Sequence, residues 1–167
     1  METYETAIHL DPKNEAAYIG QGNTLMQRYR YQEALSAYEK AIEVALFPNW
    51  YAYKGKADAL YELERYKEAL EVYEQLIQEF PHTNFSYDEI YESRGHTLYK
   101  LDRSEEASEA YEQAISLGCK SAFIHNVLGN IFSELEVYKG RKNYYPSRIA
   151  GRGALISTNH LPRSGKR

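Results

Sequence analysis

The chain has 167 residues, 43% of them hydrophobic, with a formal net charge of −4; one Cys, Cys119, excludes an internal disulfide and fits a reducing compartment. Acids at Glu2 and Glu5 with no apolar run speak against a secretory leader, and no window approaches the roughly 18 apolar residues of a membrane span. The charge is split: residues 1–139 hold 13 Lys and Arg against 24 Asp and Glu, a balance of −11, while residues 140–167 hold 7 Lys and Arg and no acid. The body should repel nucleic acid and anionic membrane, so neither is an expected partner, and a cytoplasmic location is the simplest.

In chain order, residues 4–12 read as the end of a helix closed by Pro12. Helices then follow in pairs. First helices are predicted at 15–28, 50–63, 88–101 and 122–135, and second helices at 31–45, 66–79 and 104–117. In the 50–63 segment Trp50, Tyr53, Ala57 and Leu60 recur at i, i+3, i+7 and i+10, one face of a helix. After a turn at Glu64 and Arg65, residues Tyr66, Ala69, Leu70, Tyr73, Leu76 and Ile77 form a second such face, which Pro81 stops. No segment alternates as a strand does. Beyond Gly140 no apolar period survives, and Gly140, Pro146, Gly151, Gly153, Pro162 and Gly165 break any helix, so 140–167 is expected to be a basic, disordered tail.

One pattern recurs three times: Tyr18, Gly22, Ala34, Tyr38; Tyr53, Ala57, Ala69, Tyr73; Tyr91, Gly95, Ala107, Tyr111. The offsets are 35 and 38 residues. A near-fixed period of this size means stacked supersecondary units, each contacting only its neighbours. The small residues have a steric task. Gly22, Ala57, Gly95 and Gly129 are expected to let each first helix approach its partner, and Ala34, Ala69 and Ala107 to do so from the other side.

These residues resemble the tetratricopeptide repeat (TPR), whose pattern runs aromatic, x2, Leu, Gly, x2, Tyr, then Ala, x3, aromatic, then Pro. The resemblance covers about residues 4–139. It implies an all-α solenoid of antiparallel helix hairpins stacked into a right-handed superhelix. The parts are a partial repeat at 1–14, full repeats at 15–48, 50–83 and 88–121, a first helix at 122–135, and the tail at 140–167. The chain departs from the pattern where Gln21, Lys56 and Arg94 replace its Leu; their stems are expected to pack while their heads reach water. The connections at 47–49 and 82–87 are longer than the family's, so the third repeat is expected to be tilted or shifted. The array starts and stops in mid-unit, as a piece of a longer one would.

No catalytic motif is present. There is no phosphate-binding Gly loop, and the His residues at 9, 82, 96, 125 and 160 have no metal-ligand spacing. His125 occupies an aromatic position and is expected to pack in the core. Cys119 has only Lys120 beside it to lower its pKa, which does not make a nucleophile. No enzyme activity, cofactor or metal is expected.

The informative surface is the outer stripe of the first helices, which in the TPR resemblance lines the concave groove. Spacing alone places Tyr51, Lys54, Asp58 and Tyr61 on one stripe. By resemblance the groove residues are Asn23 and Met26 (after Ala16 and Ile19); Tyr51, Lys54, Asp58 and Tyr61; Glu92, His96 and Tyr99 (after Glu89); and Asn126 and Asn130 (between Phe123 and Ser133). Aromatics offer anchor area at low entropy cost, and the Asn side chains offer hydrogen bonds to a peptide backbone. Tyr51 and Tyr61 could equally serve packing between repeats. TPR domains that grip chaperone C-termini use a cationic carboxylate clamp; the matching places here hold Ile19, Glu89 and Ser93, with Asn23 alone fitting, which argues against that ligand. The implied function is a non-catalytic scaffold that binds a protein or peptide partner. Alternatives are a detached TPR region of a larger signalling protein or enzyme, and self-association through uncapped terminal helices.

Overall fold

The computed structural model describes residues 2–80, 87–134 and 136. The basic tail, Pro81 and most of the 82–87 connection lie outside the described residues. The chain divides into two compact units, Met1–Ile124 and His125–Arg167. Seven helices belong to the first: α1 (Glu2–Leu10), α2 (Glu15–Gln27), α3 (Tyr31–Val44), α4 (Trp50–Glu62), α5 (Tyr66–Glu79), α6 (Tyr87–Lys100) and α7 (Ser104–Ser116). Residues 122–134 are also helical, and the described residues contain no strand. Helix ends fall within a residue or so of the predicted ones. The residue one beyond is typically the cap, as at Leu63, whose N–H bonds back to Ala59 O at 3.1 Å.

Local chemistry starts the helices in two ways. Asn14 and Asn49 accept backbone N–H groups at α2 and α4, at 2.9 and 3.0 Å. The second helices α3, α5 and α7 are capped by Arg30, Arg65 and Arg103, whose side chains make no cap bond. Each guanidinium instead forks onto the Glu three residues on: Glu33, Glu68 and Glu106, with Nη2···Oε2 at 2.6 Å in all three. The residue before each of these Arg has a left-handed backbone: Tyr29 (φ 59°), Glu64 (φ 60°) and Asp102 (φ 58°). The same tight hairpin is therefore made three times.

Within the first unit, α2 pairs with α3, α4 with α5, and α6 with α7, and each hairpin leans on the next through α3–α4 and α5–α6. The first helices also touch one another, α2 to α4 and α4 to α6, whereas α3 and α5, or α5 and α7, are in marginal contact at most. The first helices form the inner, tighter layer, so the concave side is theirs. This is a TPR-like α-solenoid. Its core repeats with the sequence: Tyr38, Tyr73 and Tyr111 are buried rings beside the fully buried Ala34, Ala69 and Ala107. Each such ring contributes roughly 2–3 kcal/mol of transfer free energy.

The steric expectation holds for Gly22 and Gly95. A Cβ at Gly22 would come within 2.7 Å of the Tyr38 ring, and one at Gly95 within 2.7 Å of Tyr111. Gly55, which the repeat pattern does not single out, is closer still to Tyr38 from the following hairpin. At Gly129 the expectation fails: an added Cβ there meets nothing within 4 Å. The second helix it was expected to face would lie outside the described residues. His125 is exposed and not packed in a core. In the same helix the buried side chains are Ile124, Val127, Leu128 and Ile131, a face that leaves His125 outside. The heads of Lys56 and Arg94 do not simply reach water. Each pairs at 3.3 Å with a Glu of the preceding second helix, Glu39 and Glu74. Two of the three residues that break the family pattern thus tie neighbouring hairpins.

Candidate functional site

The inner layer carries the predicted stripe. Met26 of α2, Lys54, Asp58 and Tyr61 of α4, and His96 of α6 line one cavity of about 340 Å³, together with Glu62, Tyr73 and Ser93. Five of the predicted residues, from three successive first helices, meet there because each first helix turns the same face inward. The remaining predicted residues do not line this cavity in the first unit. Tyr51 is exposed and lies with its ring against Trp50, centroids 4.1 Å apart. Asn23 is exposed, Glu92 and Tyr99 are half-buried on α6, and in the second unit Asn126 and Asn130 are exposed.

Several groove residues already have partners inside the fold. Tyr38 Oη donates to Asn23 Oδ1 at 2.7 Å, and Tyr73 Oη donates to Asp58 Oδ1 at 2.6 Å. Lys54 Nζ donates to Asp58 Oδ2 at 2.9 Å and lies 3.9 Å from Glu89 Oε2. Asp58 is thus bonded on both oxygens. Burial, assisted by the Asp58 charge, pushes the Tyr73 phenol well above its ordinary pKa, so it stays a donor. Burial likewise raises Tyr61, whose ring meets Tyr66 edge-on at 5.4 Å.

The third repeat departs from the first two. His96 stands where Asn23 and Asp58 stand, fifteen residues before its tyrosine. Its ring is held edge-on between Tyr111 and Phe123, with centroids at 5.4 and 5.1 Å. His96 Nε2 and Tyr111 Oη are buried, and neither has a hydrogen-bond partner among the described residues. Burial lowers the His96 pKa against the opposing pull of Glu92, which favours the neutral ring.

Sequence reasoning missed an apolar patch on the α3–α4 connection. Leu46 and Phe47 are 91% and 81% exposed. They line a cavity of about 610 Å³ with Pro48, Trp50, Tyr51 and Phe80. The signal was the extra residue in the 47–49 connection, which turns these side chains outward instead of continuing a helix. Cys119 donates to Glu92 Oε2 at 3.5 Å, and burial first, then nearby carboxylates, push its thiol up, away from nucleophilic character. Among the described residues no group of three or more His, Cys, Asp or Glu could hold a metal ion, and no helix is long and apolar enough to cross a membrane.

Comparison with known proteins agrees with this architecture. The first TPR domain of human RPAP3 superposes with a TM-score of 0.65 at 23% identity, covering 77% of this chain and 98% of that one. The first TPR of Spaghetti (RPAP3), bound to the HSP90 peptide SRMEEVD, gives 0.66 at 24%, covering 75% and 96%. MamA from Desulfovibrio magneticus RS-1 gives 0.71 at 18%, covering 92% and 84%. At these identities the likeness shows the fold alone. No curated protein matches the chain. The tetratricopeptide repeat family matches over residues 2–45 and 19–83, and a second profile of the same repeat matches over 88–117. The chain belongs to the tetratricopeptide repeat family.

Proposed function

We propose that the chain is a non-catalytic interaction module that holds a peptide or helix of a partner protein along the α2–α4–α6 face. The observation that carries this reading is the single 340 Å³ cavity to which three successive first helices contribute Met26, Lys54, Asp58, Tyr61 and His96. Cavities of this size, mixing apolar walls with a few polar groups, suit one anchoring side chain of a ligand. Tyr51, Tyr99, Asn23, Glu92, Asn126 and Asn130 extend the stripe beyond the anchor. Peptide binding by the Spaghetti TPR supports the mode and not the ligand: SRMEEVD is acidic toward its end, while Lys54 is the one cation on the stripe among the described residues of the first unit. The address is proposed as cytoplasmic.

Random peptide display on the immobilised full chain, followed by mapping of NMR shifts, tests the reading. Selected peptides should perturb α2, α4 and α6 and lose binding to a Tyr61→Ala, Tyr99→Ala variant that remains helical by circular dichroism. Shifts confined to α3, α5 and α7 would overturn it.

A second reading, self-association, has its own support. Leu10 of the first helix is 79% exposed, and Phe123 and Phe132 of the last described helix are 57% and 47% exposed. A monomer at high concentration in sedimentation would remove it.

A further inference from the structure

We infer that the 340 Å³ cavity is an arginine pocket: the partner segment anchors in it through a guanidinium. This deepens the groove reading and rests on it. The first ground is charge. The cavity is lined by one cation, Lys54, against Asp58 and Glu62, and Glu89 lies beside Lys54. Lys54 is already held by Asp58 at 2.9 Å, so the uncompensated charge at the mouth is negative. A carboxylate ligand would be repelled there, and a cation is favoured.

The second ground is the kind of hydrogen-bonding group on offer. The lining residues include the Glu62 carboxylate, the Ser93 hydroxyl and the His96 ring, beside Asp58, whose two oxygens are already bonded. His96 Nε2 has no partner among the described residues, although its counterparts Asn23 and Asp58 are both satisfied by the tyrosine of their own hairpin. With the ring proton on Nδ1, Nε2 would be an acceptor on a residue that lines this acidic cavity. An unpaired buried acceptor costs free energy until a donor arrives. A guanidinium brings five donors and no acceptor, which suits the Glu62 carboxylate, the Ser93 hydroxyl and the His96 ring among the lining residues.

The third ground is shape. Met26 and Tyr61 wall the cavity on the α2 and α4 sides. A planar cation with an apolar stem can lie on the Tyr61 face while its edge reaches Glu62, and arginine suits such a site better than the compact, strongly hydrated lysine ammonium.

The test uses the full chain and peptides selected from a random display library, synthesised with a fluorescent label. The selected peptides should share an Arg. Arg→Ala in the peptide should weaken binding about tenfold or more, and Arg→Lys by less. Glu62→Gln in the protein should weaken the parent peptide but not its Arg→Ala form. His96→Phe, which removes the acceptor and keeps a ring against Tyr111, should also weaken the parent peptide. Peptides that perturb α2, α4 and α6 but share no Arg, or tolerate its loss, would overturn the arginine pocket and leave the groove reading standing. Peptides that bind away from these helices would overturn both.

Discussion

Tyr73 donates its phenolic hydrogen bond to Asp58 across the α4–α5 hairpin at 2.6 Å. Tyr38 makes the same bond to Asn23 one repeat earlier, at 2.7 Å. In the third repeat the tyrosine, Tyr111, has no acceptor among the described residues, because His96 stands in that place and meets its ring edge-on. One core position thus serves as hinge between core and groove in two repeats and is left unsatisfied in the third.

The three tyrosines should therefore respond differently to loss of the hydroxyl. Tyr73→Phe removes a buried bond to a charged acceptor and should cost about 1.5–3 kcal/mol. Tyr38→Phe removes a bond to a neutral amide and should cost about 1 kcal/mol. Tyr111→Phe removes a buried group with no partner among the described residues and should be neutral or slightly stabilising. Urea denaturation of the three variants checks the order. A cost for Tyr111→Phe equal to that of Tyr73→Phe would show that Tyr111 Oη is satisfied in solution.

The glycines give a second contrast. The Tyr38 ring is buried between Gly22 and Gly55, so it cannot swing away from an added methyl. Gly55→Ala gains about 1 kcal/mol of helix propensity but overpacks a closed slot, at about 1–3 kcal/mol. The expected net result is a loss of stability. Gly129→Ala meets open space and keeps only the propensity gain, about 1 kcal/mol. Thermal unfolding should show opposite signs for the two changes.

The fold was legible because its period was. Aromatic and small residues return at fixed spacing, and helix pairs, their order and their turns follow from that spacing alone. The cavity was legible in part. Met26, Lys54, Asp58, Tyr61 and His96 were placed by register, but Ser93 and Glu62 lie one position off the stripe and were not. Nor does sequence spacing reveal that Asn23 and Asp58 are engaged by tyrosines from the opposite helix, since the two partners lie fifteen residues apart. Gly129 and His125 were misjudged for one reason: both were assigned the surroundings of a complete repeat, and the described residues contain no second helix after residues 122–134.

Glu64 occupies a left-handed conformation, φ 60°, and is exposed. An L side chain pays about 1–2 kcal/mol for that region, whereas glycine does not. Glycine loses part of the gain, because it surrenders more chain entropy on folding. Glu64→Gly should raise stability by about 0.5–1 kcal/mol, read as a higher urea midpoint with an unchanged slope. A lower midpoint would mean that the Glu64 side chain carries a stabilising interaction that outweighs the strain.

The three Arg–Glu forks predict a pH signature. Glu33, Glu68 and Glu106 have pKa values lowered, first by the hydrogen bond from Arg30, Arg65 and Arg103. A carboxylate whose folded pKa lies below its unfolded value contributes stability above the unfolded value, near 4.5. That contribution is lost as pH falls through the lowered folded value. These groups are exposed, so screening keeps each contribution small. Arg65→Gln should therefore be less stable than the unaltered chain at pH 6 and low salt, and the gap should close as pH falls from about 4.5 towards 3. Raising salt at pH 6 should narrow the gap as well, because solvent ions screen an exposed pair. Urea midpoints for both chains across this range decide it. A gap independent of pH and salt would mean that Arg65 acts through the packing of its stem against the hairpin and not through its charge.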